Sequence, residues 1–511
     1  MIRAAVIIPP IQDFYITPHR ISSLGVKTVC RILCKSGIRT LLIDGLNQGK
    51  SSAQIQLPQE LSYLEKFIVR QETGRLSYFT RFQHFGSSYD MIADQIKEFM
   101  PEICFISCFA FCYSGTVMEL SQVIKNRFPE MTIVAGGAGI SVYPEYFLNR
   151  AQIDYTLSGE AEVCLPAFIS YLKNKRTDHQ RVPGLGWKES GICRKNPADV
   201  FTTADTLQPL ITRTFENRRR TVLTASLSRG CPASCRFCSN HLAHGKKFRH
   251  CSVEQFNREL DEIPGIPAEQ EVSINFEDDN LLYDFTFLRS IVEQCRKRFP
   301  RVRFTAENGL DYRLLSEDQC RELIQAGFAQ FNFTLGSLSQ DILTRADRAI
   351  NLEHYSNLLD IISQQSIPVI TYVICGFPDD TKETVAFNLR FLSDKKTIIG
   401  LSLFYPVPGI PGFKDSALFD SISPGCLCGS AAYSWSRNLS TGSLITLFRL
   451  ARLLNLMKSP KKSEEEHAVI SLIHDTGRLH TVVKEGKKRV VVPVPGQDDE
   501  LVKMVIGKGH L

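Results

Sequence analysis

Short apolar runs recur along the first 170 or so positions, and between them apolar residues return every three or four. Runs at 4–10 (AAVIIPP), 40–44 (TLLID), 102–107 (EICFIS), 132–137 (TIVAGG) and 153–159 (IDYTLSG) predict strands. Helical spacing at about 22–35, 88–100, 115–128 and 161–174 lies between them. Strands joined by helices make a parallel sheet covered on both faces. The spacing therefore predicts a doubly wound, Rossmann-like domain over 1–174, with a ligand beyond the carboxyl ends of its strands. Segment 46–86 shows no clear period and reads as an insertion.

A second alternation begins at 221. Strands are expected at 221–226, 271–276, 302–307, 330–336, 368–376 and 400–406, with helices near 253–262, 285–299, 316–326, 339–346, 352–364 and 382–393. Six strand–helix repeats suit a partial (β/α)6 barrel over 221–415. The strands end in EDDN, ENGLD, GSLS, GFPDD and PVPGIPG, the polar and turn-forming ends of a site built on one face. Residues 175–220 read as a linker with a hairpin across GWKESGICRKN. Residues 416–511 read as a small α+β segment, with a helix at 442–457 and a hairpin around VVKEGKKRVVVPV, that caps the barrel and helps choose the substrate.

Composition narrows the class. A chain of 511 residues is too long for one core. Sixty basic and 54 acidic residues make no nucleic-acid surface, and KSPKKSEEE (458–466) and KEGKKR (484–489) read as solvated turns. The opening MIRAAVIIPP is too short for a signal peptide, and no run approaches the ~18 apolar residues of a membrane span. The expected location is cytoplasmic, so sixteen cysteines are not a disulfide framework. Cys30, Cys34, Cys164, Cys295, Cys320 and Cys375 read as small core residues.

Two cysteine clusters remain. In SRGCPASCRFCS, Cys231, Cys235 and Cys238 follow the first barrel strand at spacings of four and three. Soft thiolates so close together in a reduced protein favour zinc or an iron–sulfur cluster. Structural zinc wants four protein ligands. His241, His244, His250 and Cys251 keep that reading open. Three thiolates alone would leave one iron of a four-iron cluster without a protein ligand. The second group, Cys104, Cys108 and Cys112 in CFISCFAFC, admits a further cluster, a buried strand with its turn, or the lining of a pocket. Cys426 and Cys428 either touch the active site from the C-terminal segment or are structural.

The C-x3-C-x-Φ-C pattern, with Phe237 before the last cysteine, resembles the radical S-adenosylmethionine (SAM) enzymes. That resemblance implies a 4Fe-4S cluster whose open iron is chelated by SAM, reductive cleavage to a 5′-deoxyadenosyl radical, and a flavodoxin- or ferredoxin-type electron donor. It places Asp278 and Asp279 near the methionine amino group, Asn308 and Ser337 near ribose and carboxylate, and Gly376 of GFP beside adenine. Many relatives carry Glu before the fourth-strand serine, where this chain has Gly336.

In the first domain the dinucleotide fingerprint G-x-G-x-x-G is absent after strand one. Ser107 in SCF, followed by Gly136 and Gly137, resembles the Ser-x-Leu…Gly-Gly pattern of cobalamin-binding domains, with Phe109 in the leucine place. IDYTLSGEAE, with Gly159 and Glu160, and PGLGW are also typical of cobalamin-binding radical SAM enzymes. The resemblance covers about 1–415. The Asp-x-His-x-x-Gly cobalt-ligating motif is missing; Asp13 and His19 have the wrong spacing, and His19 as an axial ligand competes with a surface role. The class implies cobalamin-dependent methylation of an unactivated carbon or phosphorus on a small-molecule or lipid-like substrate. Cyclisation or rearrangement with the same cofactors, a front domain that has lost cobalamin, and a non-catalytic metal or cobalamin sensor are the alternatives.

Overall fold

The computed structural model describes residues 2–15, 23–47, 52–78, 81–150, 152–174, 178–345 and 348–507. His19 lies outside them. The front sheet has seven strands: β1 (Arg3–Ile8), β2 (Arg39–Asp44), β3 (Ile103–Ser107), β4 (Thr132–Gly136), β5 (Tyr155–Leu157), β6 (Leu185–Glu189) and β7 (Ile192–Lys195). Their order is β7-β6-β5-β4-β3-β1-β2, parallel from β2 through β5 and antiparallel at β6 and β7. The order reverses between β1 and β3, which opens a crevice at the carboxyl ends of the strands. Alternate residues explain why both faces are apolar. Ala5, Ile7, Cys104, Ile106 and Ile133 enter one core; Ala4, Val6, Phe105, Val134 and Leu157 enter the other. Helices α1 (Leu24–Lys35) and α2 (Ala161–Asn174) cover the second face.

The expected linker is largely built into the two sheets. Hairpin β6–β7 extends the front sheet, and β8 (Leu210–Glu216) pairs antiparallel with the first barrel strand. Its residues satisfy two otherwise open sheet edges, which is why they show little period of their own.

The barrel strands are β9 (Arg220–Ser226), β10 (Glu271–Phe276), β11 (Val302–Thr305), β12 (Phe331–Gly336), β13 (Val369–Cys375) and β14 (Ile398–Leu403). They run parallel as two sheets, β9-β10-β11 and β12-β13-β14. Single bridges at Phe304–Phe328 and Leu310–Phe333 span the break. Rings of Phe276, Phe304, Phe328, Phe331 and Phe333 follow one another across it at 5.6–6.0 Å. The front domain docks on this barrel through Arg31 and Glu259 at 2.5 Å and through Lys27 and Thr212.

The C-terminal segment contributes helix α3 (Thr441–Lys458), apolar nearly all round and buried accordingly, and the hairpin β15 (His480–Glu485) and β16 (Lys488–Pro493). The insertion after β2 packs here rather than on its own sheet. Leu61, Leu64 and Phe67 join the barrel core, strand Glu72–Thr73 adds to β15, and Glu72 pairs with Arg449 of α3. Two sequence expectations are corrected. Ser463 opens a helix at Glu464–Thr476 through a capping box with Glu466, so SEEE is a helix start and not a turn. Cys34 is exposed rather than core. All sixteen cysteines are free thiols.

Candidate functional site

A cavity of about 680 Å³ opens at the carboxyl ends of the barrel strands, lined in part by Cys231, Cys235 and Cys238. The cysteine loop leaves β9 through Ser228 and Gly230. Gly230 has φ +81°, and a Cβ there would lie 2.3 Å from the Lys247 carbonyl oxygen, so only glycine fits. Cys238 N–H donates to the Cys235 carbonyl at 3.0 Å, closing a tight turn. Burial pushes the Cys238 thiol up to about 11 and raises Cys231, so a metal loading here displaces protons.

Two donors approach the sulfurs. Asn280 Nδ2 lies 3.5 Å from Cys231 Sγ, and Arg348 lies 3.5 Å from Cys235 Sγ. Among the described residues no three His, Cys, Asp or Glu side chains converge on a point that would hold a single ion. A cubane's thiolates bind separate irons and need not converge.

The predicted barrel residues divide. Phe237, Asp279 and Asn308 line the cavity, the Phe237 ring tilted at 58° against Phe377 of GFP with centroids 5.7 Å apart. Asp279 also accepts the Gly230 N–H at 2.7 Å, which ties β10 to the cysteine loop. Asp278, Ser337 and Gly376 do not line it. Asp278 is buried, and one oxygen accepts Leu227 N–H, Ser228 N–H and Ser228 O–H at 2.6–3.0 Å. Ser337 is fully buried, accepting the Ser339 N–H at 3.2 Å. Gly376 forms the turn after β13: its N–H donates to Asp380, and a Cβ would sit 3.0 Å from Leu444.

Glu307, Asp311, Arg348, Tyr372 and Tyr405 line the same cavity and were not singled out from sequence. Glu307 precedes Asn308 in a strand-end motif that could have suggested it; Arg348 had no local signal. Asp311 is mostly buried, which opposes its ionisation, but Arg313 and Arg348 outweigh that and hold its pKa below the usual range. Gly336, at φ +81°, leaves the space beside which the stem of Arg348 lies; a Cβ would be 3.7 Å from Arg348 Cδ.

A second cavity, of about 310 Å³, opens over the front sheet. Val6, Phe105, Val134 and Leu157 floor it, α1 and the start of α2 wall it, and Ser107, Gly136, Gly137, Gly159 and Glu160 all line it. Gly137 has φ +104°, and a Cβ would meet the Cys108 carbonyl oxygen at 2.6 Å. Glu160 faces the barrel as well. Burial opposes its charge, but His244 at 3.4 Å, Thr202 N–H at 2.7 Å and Arg249 at 2.6 Å lower its pKa overall. Among the other cysteines, Cys104 and Cys108 are buried in the front core; Cys428, with Ser430, reaches Asp13, to which Tyr113 beside Cys112 also donates. Cys426 is buried against the insertion, its thiol 3.7 Å from the Glu60 carbonyl.

Residues 225–392 match the radical SAM superfamily model. The chain is 24% identical over 335 residues to an uncharacterized methyltransferase of Pyrococcus horikoshii, covering 64% of this chain and 71% of that one. It is 22% identical over 308 residues to the cobalamin-dependent radical SAM methyltransferase TokK of Streptomyces tokunonensis, covering 57% of this chain and 44% of TokK. The radical SAM methyltransferase TsrM of Kitasatospora setae, solved with cobalamin and a [4Fe-4S] cluster bound, superposes with a TM-score of 0.57 at 16% identity, covering 80% of this chain and 74% of TsrM. Residues 225–392, which include the cysteine loop and strands β10 to β13, therefore match a radical SAM domain, and the chain shares the fold of TsrM.

Proposed function

We propose that the protein is a cobalamin-dependent radical SAM methyltransferase. One observation carries this reading: three thiols on the loop after the first barrel strand line a cavity rimmed by acids, behind a doubly wound domain with its own apolar cavity. The residues suit both groups. Cys231, Cys235 and Cys238 supply thiolates for a [4Fe-4S] cluster, and Asn280 and Arg348 donate to two of the sulfurs. Asp279 and Glu307 offer carboxylates to an ammonium, Asn308 a donor and acceptor to a ribose. Phe237 and Phe404 give an aromatic wall. The front cavity, apolar on its floor with Ser107 and the glycines at its rim, suits the nucleotide tail of cobalamin.

When bound, the cluster supplies the electron that splits SAM and cobalamin carries the methyl group. The barrel residues hold SAM's charged end, and the C-terminal segment helps choose a small-molecule or lipid-like substrate. A flavodoxin- or ferredoxin-type protein is the matching electron source.

Anaerobic reconstitution tests the reading. About four irons and four sulfides per chain, an EPR signal perturbed by SAM, and stoichiometric hydroxocobalamin are expected. Cys235→Ala should abolish 5′-deoxyadenosine formation and retain cobalamin. Zinc in place of iron, or SAM cleavage by the variant, overturns the assignment.

A further inference from the structure

The loop that carries the three cysteines starts and finishes in the other cavity. Arg229, two residues before Cys231, lines the front cavity. After Cys238 comes the short helix Asn240–His244, which bridges the two spaces: Asn240 and His241 line the barrel cavity, Ala243 and His244 the front one. The front cavity is therefore closed by barrel residues that bracket the cysteine loop in sequence.

Arg229 brings a positive charge to a cavity whose floor is apolar. Its guanidinium donates to Ser226 Oγ and, at 3.0 Å, to the Ser228 carbonyl, both neutral acceptors. Asp278 is near enough to feel the charge but spends its bonded oxygen on Leu227 and Ser228. Of the acids lining the cavity, Glu160 is bound to Arg249, and Glu162 sits on the first turn of α2. A half-buried guanidinium whose hydrogen bonds among the described residues go to neutral acceptors has donors to offer an anion. The amino end of α2 at the same rim favours negative charge too.

We propose that Arg229 binds the phosphodiester of the cobalamin nucleotide tail, and that filling the front cavity thereby orders the cysteine loop. This rests on the cobalamin reading above. The coupling follows from chain connectivity: a ligand that fixes Arg229 and packs on His244 fixes both ends of the segment presenting the thiols. By linkage, loading the cluster tightens cobalamin in turn.

The test compares hydroxocobalamin with cobinamide, which lacks the nucleotide tail and its phosphate, on the full chain under anaerobic conditions. Arg229→Gln should weaken hydroxocobalamin about tenfold or more, as losing a charge-assisted bond does, and leave cobinamide within about twofold. Arg229→Lys should recover part of the loss. In hydrogen exchange, hydroxocobalamin should slow residues 229–245 of the wild type, cobinamide less so, and neither should do so fully in Arg229→Gln. His244→Asn, which leaves the Arg229 contacts in place, should weaken the protection of that segment without removing the preference for hydroxocobalamin.

Equal weakening of both corrinoids by Arg229→Gln would show a merely structural arginine and overturn the proposal. So would protection of 229–245 by inorganic phosphate alone at matched concentration. No binding of either corrinoid to the wild type would instead remove the cobalamin reading beneath it.

Discussion

Arg348 lies 3.5 Å from Cys235 Sγ while another of its nitrogens donates to the Thr334 carbonyl at 2.7 Å and to Thr334 Oγ1 at 3.0 Å. The arginine is thus anchored by β12 and aimed at one sulfur of the cysteine loop. A cation donating to a thiolate eases addition of an electron to the metal it serves. Replacing it by glutamine removes the charge, and a loss of about 1 kcal/mol of such stabilisation corresponds to roughly 40 mV for one electron. Arg348→Gln should lower the midpoint potential of the reconstituted cluster by that order in an EPR-monitored redox titration, with Arg348→Lys intermediate. An unchanged potential would mean that the arginine serves only Asp311 and Thr334.

Glu72 and Arg449 form a bidentate pair at 2.5 and 3.1 Å, with both side chains at 3% exposure or less. Tyr78 packs on the same guanidinium at 5.5 Å. This pair locks the insertion after β2 onto α3. Breaking one side leaves a buried charge without its partner, which costs about 3–5 kcal/mol. Glu72→Ala should show that loss in equilibrium urea unfolding, and Glu72→Ala with Arg449→Met should recover much of it. If the double variant is no better than the single, the pair is not the source of the cost.

These two contacts mark the limit of what the sequence disclosed. Strands and helices near 1–174 and 221–415 were legible because apolar runs bounded by Gly, Pro and Asp carry their own period. That the three cysteines and Phe237 share one strand end was legible because they are close together in the sequence. Arg348, 113 residues from Cys235, and Arg449, 377 residues from Glu72, are joined only by folding. Asp278 and Asp279 could not be told apart because both follow the end of β10, where strand alternation no longer says which one faces the cavity. The helix at Glu464–Thr476 was hidden by its acidic first turn, although Ser463 and Glu466 have capping-box spacing.

Gly137 holds the crossing of the loops after β3 and β4. At φ +104° an alanine is strained, and its Cβ would lie 2.6 Å from the Cys108 carbonyl oxygen. Backbone must move, and Cys108 sits in the wall of the front cavity. Gly137→Ala should cost on the order of 1–3 kcal/mol in urea unfolding. It should also weaken hydroxocobalamin and cobinamide together, because the change lies in the cavity wall rather than at the phosphate. Weakening of hydroxocobalamin alone would contradict this.

Asp380 is fully buried behind the GFP turn, where its carboxylate accepts N–H bonds from Gly376 at 2.7 Å and Phe377 at 2.9 Å and an O–H from Thr384 at 3.0 Å. Burial pushes its pKa up to about 6, and the two backbone bonds only partly oppose this. The unfolded value is near 3.9, so between pH 4 and 6 the native state binds the extra proton. The contribution of Asp380 to stability is therefore full below about pH 4 and is lost as pH rises through 6, a change of about 3 kcal/mol. Asparagine has the same shape: its oxygen can accept both N–H bonds and its amide can donate to Thr384 Oγ1. Asp380→Asn should gain on the wild type by that order between pH 4 and pH 7, read as the difference of their unfolding free energies at each pH. Taking the difference cancels the other carboxylates, including Asp311 and Glu160, whose lowered values act in the opposite sense. A difference that does not change with pH would mean that Asp380 is ionised in the native state throughout, with the three donors outweighing its burial.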